Sequence, residues 1–515
     1  MTSDSGDKAK VQKHVMIHTI SDAYKMYQQQ HPGRKVGLTT FKKFKPPQVR
    51  KISETNRRTC LCTSCCNVAL KIDSLKKVMS AADVETVMCS KETLSALTLC
   101  SDPPRLQCLN RTCDACGTNA VVDHFRPITD VHKDRLVTWH KWEYVTISKK
   151  DQIKRCISCV VRETSLEDLV TELASDMSQY SAHIYRASWQ IQQMTECLNG
   201  LQHGEVMAVM DFAENYGCRY QNEVQSAYFD QVQVTLHPIM AYYMAPQNDG
   251  TFMKVKHAIV GITADVKHDV SAVMHFEEEA LKLISKHTDV AKIFQWTDGC
   301  AAQYKGRSSF ASISLRQIPI QRNFFETSHG KSVCDGLGAV IKNYCHQAVV
   351  SGKAILGSAQ DVFKFVSSHL VHGPKLMTVG GKEHISIRDF VFVSDVNRDR
   401  PELDVATLKG TRNLHAIKNV SRNPYVIQIR NISCYCQRCK VGQEGCINPN
   451  VEQWKEVQLA LKQAQDASAS NSENKTCILS ICSYIFSELY TFHMYILIYS
   501  QENLIPYYLS HSNIQ

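Results

Sequence analysis

The sequence predicts an α/β protein with a mixed sheet flanked by helices and small cysteine-rich modules on both sides. Between residues 205 and 352, short apolar runs rich in Val, Ile, Phe and Tyr alternate with longer amphipathic segments. This alternation indicates strands followed by helices. Cysteines in Cys-x-x-Cys spacings cluster before and after that region. The 515 residues are enough for two to four domains.

The positive charge of the chain is concentrated in its first segment. Residues 1–58 hold 13 Lys and Arg against 4 Asp and Glu, which equals the net charge of +9 of the whole chain. A basic segment on a neutral body favours a polyanionic partner, although it is also typical of a solvated, partly disordered terminus. Residues 15–50 read as two short helices, which predicts a DNA-binding head over 1–58. Its candidate DNA contacts are Lys42, Lys43, Lys45, Arg50 and Lys51.

The cysteine pattern favours zinc over disulfides. The first residues are polar and show no signal-peptide pattern. Without a secretory signal, clustered cysteines among a total of 22 indicate zinc in a reducing compartment. We therefore expect a nuclear protein (cytoplasmic before import) that is neither secreted nor bound to a membrane.

The first cysteine-rich region covers residues 59–163. Two distant thiolate pairs can close one tetrahedral zinc site, and the first choice is Cys62 and Cys65 with Cys113 and Cys116. Buried, inert thiols are the alternative. Other cysteines leave room for a second ion or a different pairing, namely Cys60, Cys66, Cys108, Cys156 and Cys159.

A helical connector over 164–204 precedes the region of alternating strands and helices. Its apolar residues recur near a period of 3.6, which is typical of core packing. In the next region, 205–352, strands are predicted at 206–210, 232–244, 257–264, 292–296 and 322–325, and helices at 271–286, 308–315 and 336–350. This order of elements is that of the ribonuclease H-like fold.

Three acidic residues occupy distinctive positions in this pattern. Asp211 and Asp298 end apolar strands, and Asp335 lies where a helix begins. In the predicted fold the first and fourth strands are neighbours, so the three carboxylates would converge. Crowded carboxylates need cations, which predicts two Mg²⁺ or Mn²⁺ ions and phosphodiester chemistry.

The same acids have an ordinary alternative role, and other acids compete with them. An Asp after a strand is often a helix cap or a turn residue. Glu326 and Glu383 are rivals for the third position, and Glu214 is a possible accessory ligand.

Three sequence blocks carry a resemblance to a known group. Residues 210–216, 297–306 and 328–336 resemble transposon-derived proteins abundant in animal genomes, which are similar to DDE/D-type transposases with a ribonuclease H-like core. The third block is also similar to a segment of retroviral integrases. The resemblance implies that Asp211, Asp298 and Asp335 are the catalytic acids. It also implies a histidine near position 65, where this chain has Cys65.

Basic and polar residues beside the acids fit the handling of phosphate. Lys305 and Arg307 follow Asp298, and His329 and Lys331 precede Asp335. The cations are candidates for contact with DNA phosphates. His329 is a candidate for orienting water or a leaving oxygen, with a capping or core role as the alternative.

The C-terminal region, 353–463, is predicted to have mixed secondary structure, with strands at 390–393 and 425–429. Its cysteine cluster predicts a second, structural zinc site within 13 residues, formed by Cys434, Cys436, Cys439 and Cys446. His415 is an alternative ligand. Residues 464–515 read as a linker and an apolar tail of doubtful meaning.

These observations predict a transposase-like polynucleotidyl transferase or nuclease that cleaves and joins DNA strands with two metal ions. The expected partner is double-stranded DNA, on which transposases usually assemble as dimers or larger complexes. The alternative is a catalytically inactive, transposase-derived zinc protein that binds DNA or chromatin.

Overall fold

A computed structural model describes most of the chain in two compact units. The described residues are 14–16, 20–34, 36–46, 49–51, 61–81, 89–101, 103–149, 152–330, 332–379, 381–443 and 445–462. The first unit comprises residues up to Cys100 together with Asp114–Tyr180, and the second comprises Ser101–Cys113 and the chain from Ser181 onward. The linker and tail predicted at 464–515 lie outside the described residues.

The helices lie in both units. They are α1 Ile20–Gln30, α2 Leu38–Lys43, α3 Thr63–Ala81, α4 Lys91–Leu97, α5 Leu106–Leu109, α6 Asn119–His132, α7 Leu166–Asn199, α8 Gln225–Phe229, α9 Val270–Ile284, α10 Arg307–Ser314, α11 Val333–Val350, α12 Ala359–Leu370 and α13 Gln437–Lys440. Among the described helices, none combines the length and the apolar character needed to cross a bilayer.

Most strands belong to the second unit. They are β1 His14–Met16, β2 Val49–Lys51, β3 Leu136–Lys149, β4 Gln152–Ser165, β5 Glu205–Met210, β6 Tyr216–Gly217, β7 Gln233–Pro246, β8 Phe252–Thr263, β9 Lys292–Thr297, β10 Ile320–Phe324, β11 His372–Val379, β12 Lys382–Phe392, β13 Ala416–Asn419, β14 Val426–Arg430 and β15 Lys455–Gln458.

The first unit is built around a long hairpin of β3 and β4. Its two 14-residue strands pair without interruption. Helix α3 packs on β3, where the side chain of Asn67 donates to the carbonyl of Trp142 and accepts from its N–H, at 2.9 and 2.8 Å. Lys71 is buried beside this face because its ammonium group lies 2.5 Å from Asp176 and 5.0 Å from the ring centroid of Trp139.

The second unit contains one large mixed sheet. Its strand order is β11-β12-β8-β7-β5-β9-β10-β13-β14-β15, with β6 paired to β7 outside that path. Strands β8, β7 and β5 are antiparallel neighbours, whereas β5, β9 and β10 run parallel. Strand β5 therefore lies in the middle of the sheet, with β7 on one side and β9 on the other.

Helices cover both faces of this sheet. Side chains alternate between faces along a strand, and in β7 Ile239 and Ala241 belong to the core cluster with α9 and α10, whereas Met240 belongs to the cluster with α11 and α12. Helix α9 approaches closely because β8 has a glycine beneath it: a Cβ on Gly261 would lie 2.1 Å from the ring of Phe276.

The predicted mixed α/β architecture is confirmed, and the sheet is larger than predicted. All eight elements expected between 205 and 352 are present, with ends shifted by at most five residues. Strands β11 to β15 continue the same sheet beyond residue 352. Pro238 does not interrupt β7. Its carbonyl accepts from the Asp211 N–H, just past the end of β5. The side of Pro238 that lacks an N–H therefore faces the end of the hydrogen-bond ladder between β5 and β7.

A buried ion pair links the sheet to α9. The guanidinium group of Arg322 in β10 lies 2.6 Å from the carboxylate of Glu277, and both residues are almost fully buried. The side chains of Gln295 and Ser309 accept from the same guanidinium group at 2.7 and 2.6 Å. Each of the three guanidinium nitrogens therefore has at least one acceptor, which lowers the cost of burying the charge.

Candidate active site and metal centre

The first two acids lie at the same edge of the sheet. Strands β5 and β9 run parallel, with Val209 paired to Trp296. Asp211 and Asp298 each follow these paired residues by two positions, so both carboxylates come directly after the carboxyl ends of adjacent central strands. The sequence places them there because each apolar strand ends at its Asp.

The third acid lies in the first turn of α11, which packs against β5 and β7. Its close approach depends on Gly338, where a Cβ would lie 2.8 Å from that of Ala213. Ser332 caps the helix, and Asp335 completes a capping box by accepting from the Ser332 N–H at 2.9 Å. One carboxylate oxygen of Asp335 therefore caps the helix, which is the alternative that the sequence offered to metal binding.

The three carboxylates interact electrostatically. Burial, and then the charges of Asp298 and Asp335, raise the pKa of Asp211 to about 7. Burial also raises the pKa of Asp298, against the opposing effects of the Cys300 N–H and Lys305. In the described part of the chain, the groups whose ligand atoms all lie within 4.8 Å of one another contain Cys and His and not these acids. The trio is thus a set of neighbouring charges, not a closed site for one ion.

The rival acids lie in other surroundings. Glu326 is buried, and its two oxygens lie 3.1 Å from His183, 3.0 Å from His415 and 2.6 Å from Arg186. Burial acts to raise the pKa of Glu326, but these three partners outweigh it and hold the pKa well below its usual range. Glu326 is therefore a structural anion in the core.

The other two candidate acids are on the surface. Glu383 lies in β12 opposite Thr378, near the outer edge of the sheet. The side chain of Glu214 is 92% exposed and lies 3.4 Å from Lys342.

The predicted accessory residues are only partly near the acids. Lys305 follows Asp298 and donates to the carbonyl of Arg412 at 3.3 Å. Burial lowers the pKa of Lys305 to about 8, although the charges of Glu326 and Asp298 act against it. Arg307 forms an ion pair of 2.7 Å with Asp404.

His329 contacts His183, with their Nε2 atoms 3.0 Å apart. Lys331 lies outside the described residues. In the N-terminal head, Lys42 and Lys43 are exposed in the last turn of α2 and Lys45 follows it, whereas the side chains of Arg50 and Lys51 lie outside the described part. Contact of these residues with DNA stays a prediction.

The C-terminal cysteines form a compact group within the second unit. The ligand atoms of all four, Cys434, Cys436, Cys439 and Cys446, lie within 4.8 Å of one another. The sulfur atoms of Cys434 and Cys446 are 3.4 Å apart, and those of Cys436 and Cys446 are 3.9 Å apart. Zn–S bonds of about 2.3 Å in a tetrahedron place sulfurs roughly 3.8 Å apart. The group is therefore compatible with structural zinc.

The surroundings affect the thiols of this cluster unequally, because burial raises the pKa of Cys434 and of Cys439 whereas the pKa of Cys436 is lowered. Burial acts to raise the pKa of Cys436, but N–H groups of Cys439 and Ile447 outweigh it and bring the pKa to about 7. Both terminal nitrogens of Arg430 lie 3.6 Å from the sulfur of Cys439. His415, the alternative ligand, instead contacts Asn431 and Glu326.

The first cysteine region contains thiol pairs in each unit. The pairs whose sulfurs lie within 4.8 Å inside one unit are Cys62 with Cys65, Cys100 with Cys116, and Cys108 with Cys113. Cysteine clusters of the described residues are thus compatible with zinc, whereas the set of Cys62 and Cys65 with Cys113 and Cys116 stays a prediction. Cys60 lies outside the described residues. Cys156 and Cys159 are three positions apart in β4, so their side chains leave opposite faces of the strand.

Sequence reasoning did not identify the contacts around Glu326. His183 and Arg186 belong to α7, whose apolar periodicity predicts core packing and no polar cluster. They lie one helical turn apart, so both side chains are on the same face of α7, and this spacing is the sequence signal for a shared partner. Their common partner is 140 residues or more away in sequence, at the end of β10.

The comparisons give two family models. Residues 190–433 match a model described as "Domain of unknown function (DUF8701)", and residues 1–53 match "Domain of unknown function (DUF8699)". The larger match includes all three acids and ends one residue before Cys434. No curated protein and no solved structure matches the chain.

Proposed function

We propose that the chain is a transposase-like polynucleotidyl transferase that cleaves and joins DNA with two Mg²⁺ or Mn²⁺ ions held by Asp211, Asp298 and Asp335. The observation that carries this proposal is the meeting of acids from two adjacent parallel strands and one helix. Their mutual repulsion is strong enough to contribute to the raised pKa of Asp211. Divalent cations are the natural partners of such a group.

The strand order supports a ribonuclease H-like core. That fold requires its first strand in the centre, its fourth strand alongside, and a late helix that brings the third acid. Strands β5 and β9 and helix α11 have these relations. The continuation of the sheet through β13 to β15 is an addition to this core.

The donor set fits hard cations. Carboxylate oxygens are the ligands that Mg²⁺ and Mn²⁺ prefer. Asp298 uses one oxygen to accept from the Cys300 N–H at 3.0 Å, and Asp335 uses one in its capping box, so each retains a second oxygen. Ions bound there would activate a water or a DNA 3′-hydroxyl and stabilise the leaving oxygen.

Residues of the chain itself have two further roles in this proposal. Asp211 must lose its proton to act as a ligand, so protons and cations would compete for this carboxylate, and binding of a cation would release the proton. Lys305, which lies in the field of Asp298, supplies a positive charge for a DNA phosphate at neutral pH.

The decisive experiment is DNA cleavage by the purified full chain with Mg²⁺ or Mn²⁺. We expect Asp211→Ala and Asp298→Ala to reduce cleavage by at least about 1000-fold, which is about 4 kcal/mol of barrier. Asp289→Ala is the matched control, because Asp289 is exposed in the loop before β9. Cleavage that persists in both variants refutes the proposal.

A second candidate is a non-catalytic zinc protein that binds DNA or chromatin. The capping box favours it, because Asp335 has a structural function that needs no metal. In that case the wild type and both variants would leave DNA uncut yet bind duplex with a steep dependence on salt.

A further inference from the structure

A strongly basic pocket lies in the second unit beside the C-terminal cysteine cluster. It has a volume of about 370 Å³ and is lined by residues of β9, β10, β13 and β14, of α13 and of the segment before β15. Four of the lining residues are cationic, namely Lys292, Lys418, Arg430 and Lys440. None of the described residues that line it is acidic.

Strand pairing holds two of these cations at fixed positions. Lys418 in β13 lies between Gln321 of β10 and Gln428 of β14, so amide side chains flank its ammonium group. Lys292 begins β9, two strands away in the sheet order. Positive groups on rigid strands are better placed to bind a ligand than groups on flexible loops.

Aromatic rings support the same cations. The ammonium group of Lys418 lies 4.5 Å from the ring centroid of Trp454, and the guanidinium group of Arg430 lies 4.9 Å from it. Lys292 lies 4.8 Å from the ring of Phe294. Such contacts stabilise a cation by cation–π attraction, but a ring does not neutralise its charge.

The positive charges of the pocket are not balanced within the described residues. Both terminal nitrogens of Arg430 lie 3.6 Å from the sulfur of Cys439, which is a contact with a thiol and not with a carboxylate. Lys292 and Lys418 have no carboxylate within 4.0 Å in the part of the chain that the structure describes. Burial, followed by the charges of Arg430 and Lys292, lowers the pKa of Lys418, and the opposing effect comes from Cys439 and from no carboxylate.

We propose that this pocket binds a backbone phosphate of nucleic acid through Lys292 and Lys418, as an anchor separate from the acid trio. The choice of nucleic acid rests on the proposed function, whereas the anion-binding chemistry does not. Lys292 begins β9 and Asp298 follows its end. At about 3.3 Å per residue they are roughly 20 Å apart, so the pocket would hold DNA that flanks the site of cleavage.

The test measures the binding of duplex DNA by the full chain at several salt concentrations. No Mg²⁺ is added, and no chelator is used, because a chelator would remove zinc. Binding is thereby measured apart from cleavage, so a failure of the catalytic proposal leaves this test intact. We expect Lys292→Gln with Lys418→Gln to reduce the slope of log K against log salt by about 2. Affinity at 0.1 M salt should fall on the order of 10- to 100-fold.

Two controls separate charge at this pocket from charge in general. Lys353→Gln with Lys364→Gln removes two exposed lysines of the same unit and should leave the slope unchanged. Lys292→Arg with Lys418→Arg keeps the charges and should retain wild-type binding. The proposal is overturned if the pocket glutamine variant keeps the wild-type slope, or if the control glutamine variant loses as much.

Discussion

The C-terminal cysteine cluster is compatible with structural zinc, and the acid trio is proposed to hold Mg²⁺ or Mn²⁺, but the chain builds the two groups differently. The cysteines lie within 13 residues, and a short turn brings their sulfurs to 3.4–3.9 Å. The acids are spread from Asp211 to Asp335 and depend on two strands, a helix and the sheet that aligns them.

This difference determines what each site requires from a metal. The cysteine segment has a small hydrophobic cluster around Ile432 and Val451, so a zinc ion bound there would supply much of its stability. The acid edge is assembled by a large core whether or not an ion is bound. Without cations its neighbouring negative charges repel one another, so under the proposed function ions there would relieve this repulsion and serve chemistry.

The largest effect on stability is expected at the cysteine cluster. Cys436→Ser should remove one equivalent of zinc and lower the free energy of unfolding of this segment by several kcal/mol. Metal analysis and thermal unfolding measure both quantities. Cys159→Ser is the control, because this exposed cysteine of β4 lies outside the cluster. A zinc content of Cys436→Ser equal to that of the wild type would contradict zinc binding by the cluster.

An intermediate effect is expected from the pH dependence of Asp211. Its pKa is about 7 in the folded chain against an ordinary value of 3.8. The folded state therefore retains the proton, and this contribution to stability is complete below pH 3.8 and is lost as pH rises through 7. At 1.36 kcal/mol per pH unit the loss is at most about 4 kcal/mol, reduced by solvent around the site.

Denaturant unfolding at pH 5 and pH 8 without divalent ions checks this expectation. Asp211→Asn should be more stable than the wild type at pH 8 and closer to it at pH 5. Mg²⁺ should stabilise the wild type at pH 8 and have little effect on the variant. A wild type and variant that differ equally at both pH values would contradict the electrostatic account.

The smallest effect is expected at Asp335 and separates its two roles. Asp335→Ala removes the capping contact to Ser332 and should cost about 1 kcal/mol of stability. Asp335→Asn keeps an acceptor and should cost less, yet it removes the charge needed by a cation. If Asp335→Asn loses cleavage but keeps its stability, Asp335 is assigned to metal binding. If Asp335→Asn retains cleavage, the role of Asp335 is helix capping alone.

The central sheet was predictable because its strands are apolar and bounded by clear breaks. Residues 206–210 and 292–296 end at Asp211 and Asp298, so both the strands and the positions of their acids followed from local pattern. The uninterrupted hairpin of β3 and β4 was missed, since it lies within the region interpreted through its cysteines.

Contacts between strands that are distant in the chain could not be predicted from the sequence. The sequence gives no sign that Lys418 and Trp454 share a surface, because β13, β14 and β15 meet only through the order of the sheet. The partners of Glu326 illustrate the same limit. Cysteine spacing likewise predicted thiol pairs, but it could not assign which distant pairs share an ion.

The buried pair of Arg322 and Glu277 has a consequence for how the sheet reaches its final alignment. If β10 paired with β9 one residue out of step, the guanidinium group would turn to the opposite face. Glu277 would then keep only the more exposed Arg316 as a counter-charge, and the guanidinium group of Arg322 would lose its buried acceptors, which is costly. Misaligned intermediates are thereby disfavoured during folding, and β10 is held in a single register beside β9.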